Sequence, residues 1–553
     1  MKKFIGFILS AAIVVALLTG CGSSTPPASG GDTNAPTDST APSTANENNT
    51  VVIAVATDLL TLDPGKVYEV YGNMYTYSVY DMLYRMDASD MSKPQPSLAT
   101  SYTVDDSQTV YTFTLRNDVK FSSGNPLTSA DVVWSIQRVM NLASNATVDT
   151  ANIASVQAID PSTVQLTLKS PDASLFAMLA CNAFAVLDSQ TVEANGGTDG
   201  PDAATADTAE TWLNNHSAGS GAYMLESWTP GTQLVLDANP NYWGTKSNIS
   251  KIIIQETKDV NTQIQKLKSG DVDAALDLSY NNIPQIQDTQ GITIKEAQTA
   301  LTTFLMMNDD PTIGGPMANS KVQQAVRYAI DYNGLVTLAG DGSTVPMNIV
   351  PMGMVGALTR DLNFRDVDKA KQLLTEAGYP NGFSVDLTVA SDNDSEGMPW
   401  TTIAQKVQSD LKDVGITVNI QSQTASVVYD AMRQGQMAFY LMYWSPDYYD
   451  INNQFQFLPG SDDNSTLAYV RLHWASDADN AQLNDLANQI KSELDYNTRA
   501  NLSQQLQNAY DQYAPYVFLL QHAKTYAVSD NLQNVKYNDI CKLQLTDLTL
   551  AGN

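Results

Sequence analysis

Hydrophobic and polar positions follow two different rhythms along this chain. Alternation with a period of two predicts half-buried strands, and helical spacing of apolar residues predicts amphipathic helices. The alternating stretches are Tyr111–Leu115, Val164–Leu168 and Phe383–Val389, and the apolar run Val51–Ala56 is also predicted to be a strand. The helical stretches are Tyr75–Met86 and those that begin near Thr128, Ser320 and Asp366. Helices and strands take turns from about residue 320 to 445, and this alternation predicts an α/β fold.

The apolar and aromatic run Met437–Trp444 is typical of a strand buried on both faces. Pro446 lacks an N–H and ends the strand. The acidic and aromatic turn Asp447–Asp450 follows at once. Ligands of open α/β sheets usually bind at the carboxyl ends of strands, so this turn is a candidate site. A core strand followed by a solvated acidic turn would have the same sequence.

The composition indicates a globular protein and argues against two classes of binding partner. With 553 residues and 43% hydrophobic content, the chain is globular and long enough for more than one lobe. Its formal net charge of −29 argues against a nucleic-acid partner, since phosphates need a basic surface. The same charge argues against broad docking on anionic lipid. We interpret the acidity as a contribution to solubility.

The N-terminus predicts export. Residues 1–20 have the pattern of a signal peptide, with Lys2 and Lys3 before the apolar run Phe4–Leu18. The sequence Leu-Thr-Gly-Cys that ends at Cys21 resembles the bacterial lipobox, in which the cysteine becomes the first mature residue and carries the lipid. An uncleaved anchor helix is the alternative. Residues 21–50 are predicted to form the lipidated N-terminus and a disordered linker.

Candidate chemistry is sparse in the remaining chain. Cys181 and Cys541 either pair in an oxidising compartment or stay free, and their spacing does not decide between the two. The sequence has neither a His-Glu-x-x-His zinc motif nor the Gly-x-Ser-x-Gly nucleophile elbow. The three histidines are widely scattered, at His216, His473 and His522. We therefore expect a protein that is not an enzyme, with no cofactor and no metal.

A series of sequence blocks carries a family resemblance. The blocks include Thr61–Pro64, Pro96–Ala99, Val119–Val132, Gly219–Tyr223, Asn239–Trp243, Lys268–Asp273, Val322–Asp331 and Ala370–Tyr379. In their order and spacing they resemble the solute-binding proteins of ABC importers, specifically the dipeptide- and oligopeptide-binding group called family five. The resemblance runs along nearly the whole mature chain.

The resemblance implies a two-lobed α/β fold of the periplasmic-binding-protein type, type II, in the large peptide-binding class with an extra third domain. Domain I would be discontinuous, domains II and III would each be continuous, and the hinge would lie near residues 300 and 514. The implied bounds are 51–81, 209–299 and 515–553 for domain I, 82–208 for domain II and 300–514 for domain III.

The resemblance also implies a ligand site. In peptide-binding relatives a Trp followed three residues later by an Asp lines the cleft, and Trp444 and Asp447 match that spacing. Asp447 would pair with the α-ammonium of a peptide, because an ammonium in a desolvated cleft needs a carboxylate. Tyr443, Trp444 and Ser445 would hydrogen-bond the extended peptide backbone. Tyr448 is a neighbouring candidate.

On the facing lobe, some relatives place an acidic residue where this chain has Tyr68, with Glu69 one residue later. We take both as candidate ligand contacts. The implied function is capture of peptides by a lipid-anchored, monomeric, extracytoplasmic protein that delivers them to membrane permease subunits. An oligosaccharide or metal chelate as ligand, or a sensor that presents its ligand to a receptor, would use the same fold. A secreted hydrolase is a further alternative, which the missing catalytic motifs disfavour.

Overall fold

A mixed β-sheet of ten strands organises the computed structural model, which describes residues 49–56, 59–67, 70–142, 144, 150–461 and 466–552. The predictions for the signal peptide, for the lipid on Cys21 and for nearly all of the linker fall outside the described residues, as do those for Tyr68 and Glu69. Residues 48–553 group as one compact unit, and β1 begins within it at Thr50.

The strands, in chain order, are β1 Thr50–Val55, β2 Tyr84–Asp87, β3 Asp90–Pro96, β4 Ala99–Val104, β5 Val110–Leu115, β6 Ile153–Asp160, β7 Thr163–Leu168, β8 Tyr223–Thr229, β9 Gln233–Ala238, β10 Lys251–Glu256, β11 Ala274–Leu278, β12 Ile292–Met307, β13 Phe383–Ala390, β14 Asp394–Ser395, β15 Met398–Pro399, β16 Ile416–Gln423, β17 Phe439–Trp444, β18 Tyr516–Ser529, β19 Leu532–Gln533, β20 Tyr537–Asn538, β21 Lys542–Leu543 and β22 Thr549–Leu550.

The α-helices are α1 Val70–Val79, α2 Ser129–Leu142, α3 Leu175–Met178, α4 Ser189–Glu193, α5 Ala203–Ala206, α6 Glu210–Leu213, α7 Val260–Ser269, α8 Pro311–Gly314, α9 Ser320–Ala329, α10 Tyr332–Ala339, α11 Val367–Glu376, α12 Trp400–Lys412, α13 Ala425–Arg433, α14 Leu467–Leu472, α15 Ala481–Ser492 and α16 Tyr496–Tyr510. Short 3₁₀ turns occupy Thr150–Asn152, Asn182–Phe184, Tyr280–Gln285, Gly315–Ala318, Ile451–Phe457 and Leu545–Asp547.

The large sheet consists of two halves that share two long central strands. Its order is β16-β13-β17-β12-β18-β11-β1-β10-β9-β8. We call β8, β9, β10, β1 and β11 the first half, and β17, β13 and β16 the second half. The central strands β12 and β18 are antiparallel to each other and pair along both halves, with a register shift between Gln298 and Thr302. The irregular segment at residues 299–301 therefore marks where one half passes into the other.

A second sheet, in the order β4-β5-β7-β6, is antiparallel and packs with α2. The apolar period of two along β5 and β7 buries Tyr111, Phe113, Val164 and Leu166 in its core. Helix α2 begins as the sequence predicts, because the backbone N–H of Thr128 donates to the Asp131 carboxylate at 2.9 Å. This layer is built from residues that lie between β1 and β8 in the chain.

Most predicted elements are present, and two need correction. The helix predicted over Tyr75–Met86 ends at Val79, and Tyr84–Asp87 is a strand that pairs with β3. Residues there are buried on several sides, so their apolar spacing does not distinguish helix from strand. Helix α9 is capped by Asn319, whose side chain accepts from the N–H of Lys321 at 3.0 Å, so Ser320 is its first helical residue.

Candidate ligand-binding site

The candidate site starts at the carboxyl end of β17. This strand pairs antiparallel with the central strand β12, with Trp444 opposite Thr302, and ends before Pro446. The Trp444 ring is half-buried and packs edge-on against Phe457 with the ring centroids 5.2 Å apart. Tyr443 packs in the same way on Trp400 at 5.0 Å. Both aromatic side chains therefore belong partly to the core of the second half.

Asp447 is held in the turn by Asn453, and no cation of the described residues pairs with it. Its backbone N–H donates to Asn453 Oδ1 at 2.8 Å. Burial raises the pKa of the Asp447 carboxyl to about 6, although a hydrogen bond with the Asn453 side chain acts in the opposite direction. No lysine or arginine of the described residues forms an ion pair with Asp447. The turn thus presents a partly desolvated carboxylate whose countercharge is missing.

Asp450 belongs to the same turn and has a complete set of partners. Both of its carboxylate oxygens accept from Arg499 of α16 at 2.6 Å, in a bidentate ion pair. Asp450 also caps the following 3₁₀ turn through the N–H of Asn452 at 2.8 Å. The side chains of Arg499 and Asp450 each retain only 9% exposure. This carboxylate therefore holds the turn in place and is not available to a ligand.

Residues from the first 200 positions approach Asp447. The thiol of Cys181 lies 4.0 Å from the Asp447 carbonyl oxygen and 3.4 Å from the Ala177 carbonyl oxygen. The hydroxyl of Tyr77, on α1, donates to the neighbouring carbonyl of Ala180. Burial, with a further contribution from the charge of Asp447, raises the pKa of the Cys181 thiol far above its usual value. Helix α1 and the segment around Cys181 therefore lie close to the acidic turn.

The two cysteines left open by the sequence are both free and buried. Each contributes to raising the pKa of the Tyr77 hydroxyl, after burial as the main cause. Burial also raises the pKa of the Cys541 thiol to about 12. Both cysteines are thus protonated thiols at neutral pH, and neither is a reactive thiolate.

Segments that are far apart in the chain make direct contacts near the turn. Asn452 Nδ2 donates to Asp172 Oδ1 at 2.8 Å, and the N–H of Ala173 donates to the carbonyl of Lys491 at 2.7 Å. At a separate place, a Cβ on Gly397 would lie 2.4 Å from the Cβ of Ser279, so the two backbones approach closely there.

The predicted site residues of the second lobe form one continuous stretch, with Tyr443 and Trp444 at the end of β17 and Ser445, Asp447 and Tyr448 directly after it. Ser445 is exposed, and Tyr448 is buried beside Asp172 and Ser174. Burial and the charge of Asp450 raise the pKa of Tyr448 well above its usual value. Sequence reasoning missed Cys181 and Asn453, which no motif marks and which contact Asp447, and Tyr77, which bonds to Ala180 beside Cys181. The ligand-contact roles of all these residues stay predictions.

Asp309 has a similar environment, since burial raises the pKa of its carboxyl to about 6, but it follows β12 at the end of β17 opposite to Asp447. A cavity of about 530 Å³ lies elsewhere, between the segments Tyr242–Ser247 and Asn534–Thr549, and it includes no predicted site residue. Within the described residues no group of His, Cys, Asp and Glu side chains is arranged to hold a metal ion. In the same part of the chain, no helix is both long and apolar enough to cross a membrane.

Comparison with known proteins defines the class. Residues 93–466 match the family model described as bacterial extracellular solute-binding proteins, family 5. The match covers more than half of the chain, and the chain belongs to this family. The large mixed sheet and the two-lobed architecture agree with the type II periplasmic peptide-binding fold.

Three relatives illustrate the family. The chain is 27% identical over 495 residues to the probable D,D-dipeptide-binding periplasmic protein DdpA of Escherichia coli K12, covering 88% of this chain and 91% of the relative. It is 29% identical over 379 residues to the glutathione-binding protein GsiB of Salmonella choleraesuis, covering 68% and 70%. The structure of DppA from Helicobacter pylori in complex with the peptide STSA superposes with a TM-score of 0.70 at 22% identity, covering 91% and 98%.

Proposed function

We propose that this solute-binding protein captures a peptide or a similar solute with a free ammonium group, and that Asp447 is the partner of that ammonium. The observation that carries the proposal is the environment of Asp447, a mostly desolvated carboxylate beside which the described residues place no cation. A buried charge without a partner is costly, so a structural carboxylate is normally paired. A ligand ammonium would supply the missing countercharge in the closed cleft.

The rest of the cleft supports an extended ligand. Tyr443, Trp444 and Ser445 run into the turn at the end of a strand, where backbone N–H and C=O groups suit the main chain of a peptide. Tyr448, Tyr68 and Glu69 are further candidate contacts. The names of DdpA and GsiB describe peptide ligands, a D,D-dipeptide and glutathione, and this favours a peptide over a sugar or a metal chelate.

The proposal includes the cellular setting. The protein would be anchored outside the cytoplasmic membrane by a lipid on Cys21, act as a monomer and deliver its ligand to the permease subunits of an ABC importer. The lipobox-like sequence supports the anchor, and family membership supports the transport role. Replacement of Cys21 by Ser should abolish the incorporation of labelled palmitate into the protein. Unchanged labelling would contradict a lipid on Cys21.

The ligand class is tested first by mass spectrometry of the solute released from purified protein by denaturation. A peptide supports the proposal, and a sugar, a metal chelate or hydrolysed products would overturn it. Calorimetry then compares a free-amine peptide with its N-acetylated form on the wild type and on Asp447→Asn. We expect Asp447→Asn to weaken binding of the free amine by roughly 30-fold or more and to leave the acetylated form almost unchanged.

The matched control is Asp430→Asn, which removes a carboxylate whose side chain is 70% exposed in the same lobe. This variant should bind both peptides like the wild type. An equal loss for the two peptides in Asp447→Asn would show that this carboxylate supports the cleft but does not contact the ammonium.

A further inference from the structure

A mostly buried ion triad joins the two halves of the large sheet. Lys524 Nζ, on the central strand β18, lies 2.8 Å from Glu396 Oε2 and 3.7 Å from Asp277 Oδ1. Asp277 is on β11 of the first half, whereas Glu396 lies in the turn between β14 and β15, just before α12 of the second half. The three side chains retain only 11%, 14% and 16% exposure, in the order Lys524, Glu396, Asp277.

Asp277 is fixed firmly to the first half. Its carboxylate accepts from the N–H of Ala56 at 2.7 Å, from Gln263 Nε2 at 3.0 Å and from the hydroxyl of Tyr71 at 2.5 Å. These donors come from the end of β1, from α7 and from α1. Asp277 would therefore keep its position and most of its hydrogen bonds if the second half moved away.

Glu396 is fixed to the second half in a different way. The neighbouring Ser395 hydroxyl accepts from Trp400 Nε1 at 2.9 Å and lies 3.1 Å from the hydroxyl of Thr303, which pairs with β17. Glu396 itself has a left-handed backbone with φ of 49°, uncommon for a residue other than glycine. Among the described residues, Lys524 is the hydrogen-bond donor to the Glu396 carboxylate. Glu396 would lose this partner if the halves separated.

Lys524 lies next to the point where the halves meet. It pairs with Ala297, one residue before the register shift in β12. The irregular segment there is braced by Asp539, which accepts from the N–H of Ala300 at 2.6 Å. The turn that carries Glu396 also packs against the end of β11, since Gly397 leaves no room for a side chain beside Ser279. Rotation about residues 299–301 would therefore separate Glu396 from the first half.

The charges of Lys524, Glu396 and Asp277 favour the contact between the two halves. Burial by itself would raise the pKa of Glu396, but the charge of Lys524, with a smaller contribution from Lys542, holds it below its usual value. Glu396 and Asp277 in turn keep Lys524 protonated against the effect of burial. Since Lys524 makes the largest favourable contribution to the ionised Glu396, removal of Lys524 should destabilise this mostly desolvated carboxylate the most.

We propose that Lys524 and Glu396 form a latch that stabilises the closed arrangement of the two lobes, with Asp277 as its fixed support. The latch acts on the closing equilibrium and so on the affinity for any ligand, since a ligand of the closed form binds in proportion to the population of that form. It requires closure of the cleft proposed above to bind solute, but it does not depend on which solute binds or on the role of Asp447.

The test measures closure without any ligand. Small-angle X-ray scattering on the chain without residues 1–21, freed of bound solute by unfolding and refolding, compares the otherwise wild-type sequence with Glu396→Gln and Lys524→Met. We expect both variants to shift towards the open form, with a larger radius of gyration and a roughly tenfold change in the open-to-closed ratio. A wild-type scattering profile in both folded variants would overturn the latch.

Lys406 offers a matched control within the second half. Its Nζ lies 2.9 Å from Asp331 and 2.5 Å from Asp410, so it also bridges two carboxylates, but all three residues belong to the same half. Lys406→Met should lower the stability and leave the scattering profile unchanged. If Lys524→Met fails to fold, Glu396→Gln, which keeps the side-chain size, decides the question, with circular dichroism as the check on folding.

The outcomes separate this inference from the proposed function. An unchanged radius of gyration in Glu396→Gln, together with selective loss of the free-amine peptide in Asp447→Asn, would reject the latch alone. A shifted radius of gyration with no effect of Asp447→Asn would reject the ammonium site alone.

Discussion

Asp447 and Asp450 are two carboxylates in one turn with opposite environments. Asp450 receives both terminal nitrogens of Arg499 at 2.6 Å, whereas no described cation pairs with Asp447. The pKa of Asp447 is raised to about 6 because burial disfavours its charged form. Burial of an acid therefore does not by itself indicate its role. A cationic partner within the protein indicates a structural role, whereas its absence leaves the acid available to a cationic ligand.

The change with the largest expected effect removes Arg499, the cationic partner of Asp450. Arg499→Met would leave that carboxylate buried without its countercharge, and we expect the free energy of unfolding to fall by about 3–5 kcal/mol. Urea denaturation at pH 7 measures the change. The double variant Arg499→Met, Asp450→Leu should recover much of the loss, because two apolar side chains need no countercharge. An equal or greater loss in the double variant would contradict this account.

The second change removes the Asp447 carboxylate, with which no lysine or arginine of the described residues pairs. The pKa of Asp447 is about 6 in the folded protein and about 4 when unfolded, so its ionisation destabilises the fold increasingly as pH rises from 4 to 6. Without ligand, Asp447→Asn should therefore be more stable than the wild type at pH 7 by roughly 1–3 kcal/mol. The gain should vanish below pH 4, where Asp447 is protonated in both states. Thermal unfolding across this pH range measures it.

A wild-type stability for Asp447→Asn at every pH would show that water solvates the carboxylate in the free protein. The corresponding variant Asp450→Asn serves as the comparison. It should be less stable than the wild type at pH 7, because Arg499 loses its ionised partner.

The third change, with the smallest expected effect, removes the Asn453 side chain and so tests what holds the pKa of Asp447 in place. Its side chain accepts from the N–H of Asp447 and also opposes the rise in the pKa of Asp447. Asn453→Ala should lower the free energy of unfolding by about 1 kcal/mol and move the titration of Asp447 above pH 6. Titration of the carboxyl by NMR checks the direction. A downward shift would mean that Asn453 does not stabilise the ionised form.

Much of the fold follows from local pattern. The strand at Met437–Trp444, its end before Pro446 and the hairpin of β8 and β9 are all present, as are the caps at Thr128 and Asp366. These features depend on periodicity of two or 3.6 and on side chains within three residues of each other. The helix predicted across Tyr84 was wrong, because its strand partner β3 and the surrounding core override the local apolar spacing.

The candidate site was predictable only in part. The Trp and Asp spacing of the turn leads to Trp444 and Asp447, and the roles of both stay predictions. Nothing near Cys181 or Asn453 marks either residue, and Tyr77 lies in an apolar helix like many core tyrosines. Asn453 reaches Asp447 locally, from the 3₁₀ turn after Asp450, whereas the contact of Cys181 with Asp447 depends on packing between segments that are 266 residues apart.

The amino-acid sequence by itself determined that a buried strand delivers an acidic, aromatic turn in a protein of the solute-binding class. Only the tertiary structure decided that Arg499 pairs with Asp450 and not with Asp447, and that Lys524 reaches Glu396 across the junction of two lobes. The reason is physical. Aspartates in one turn have the same local preferences, whereas the pairing of buried charges depends on which distant helix or strand packs against each of them.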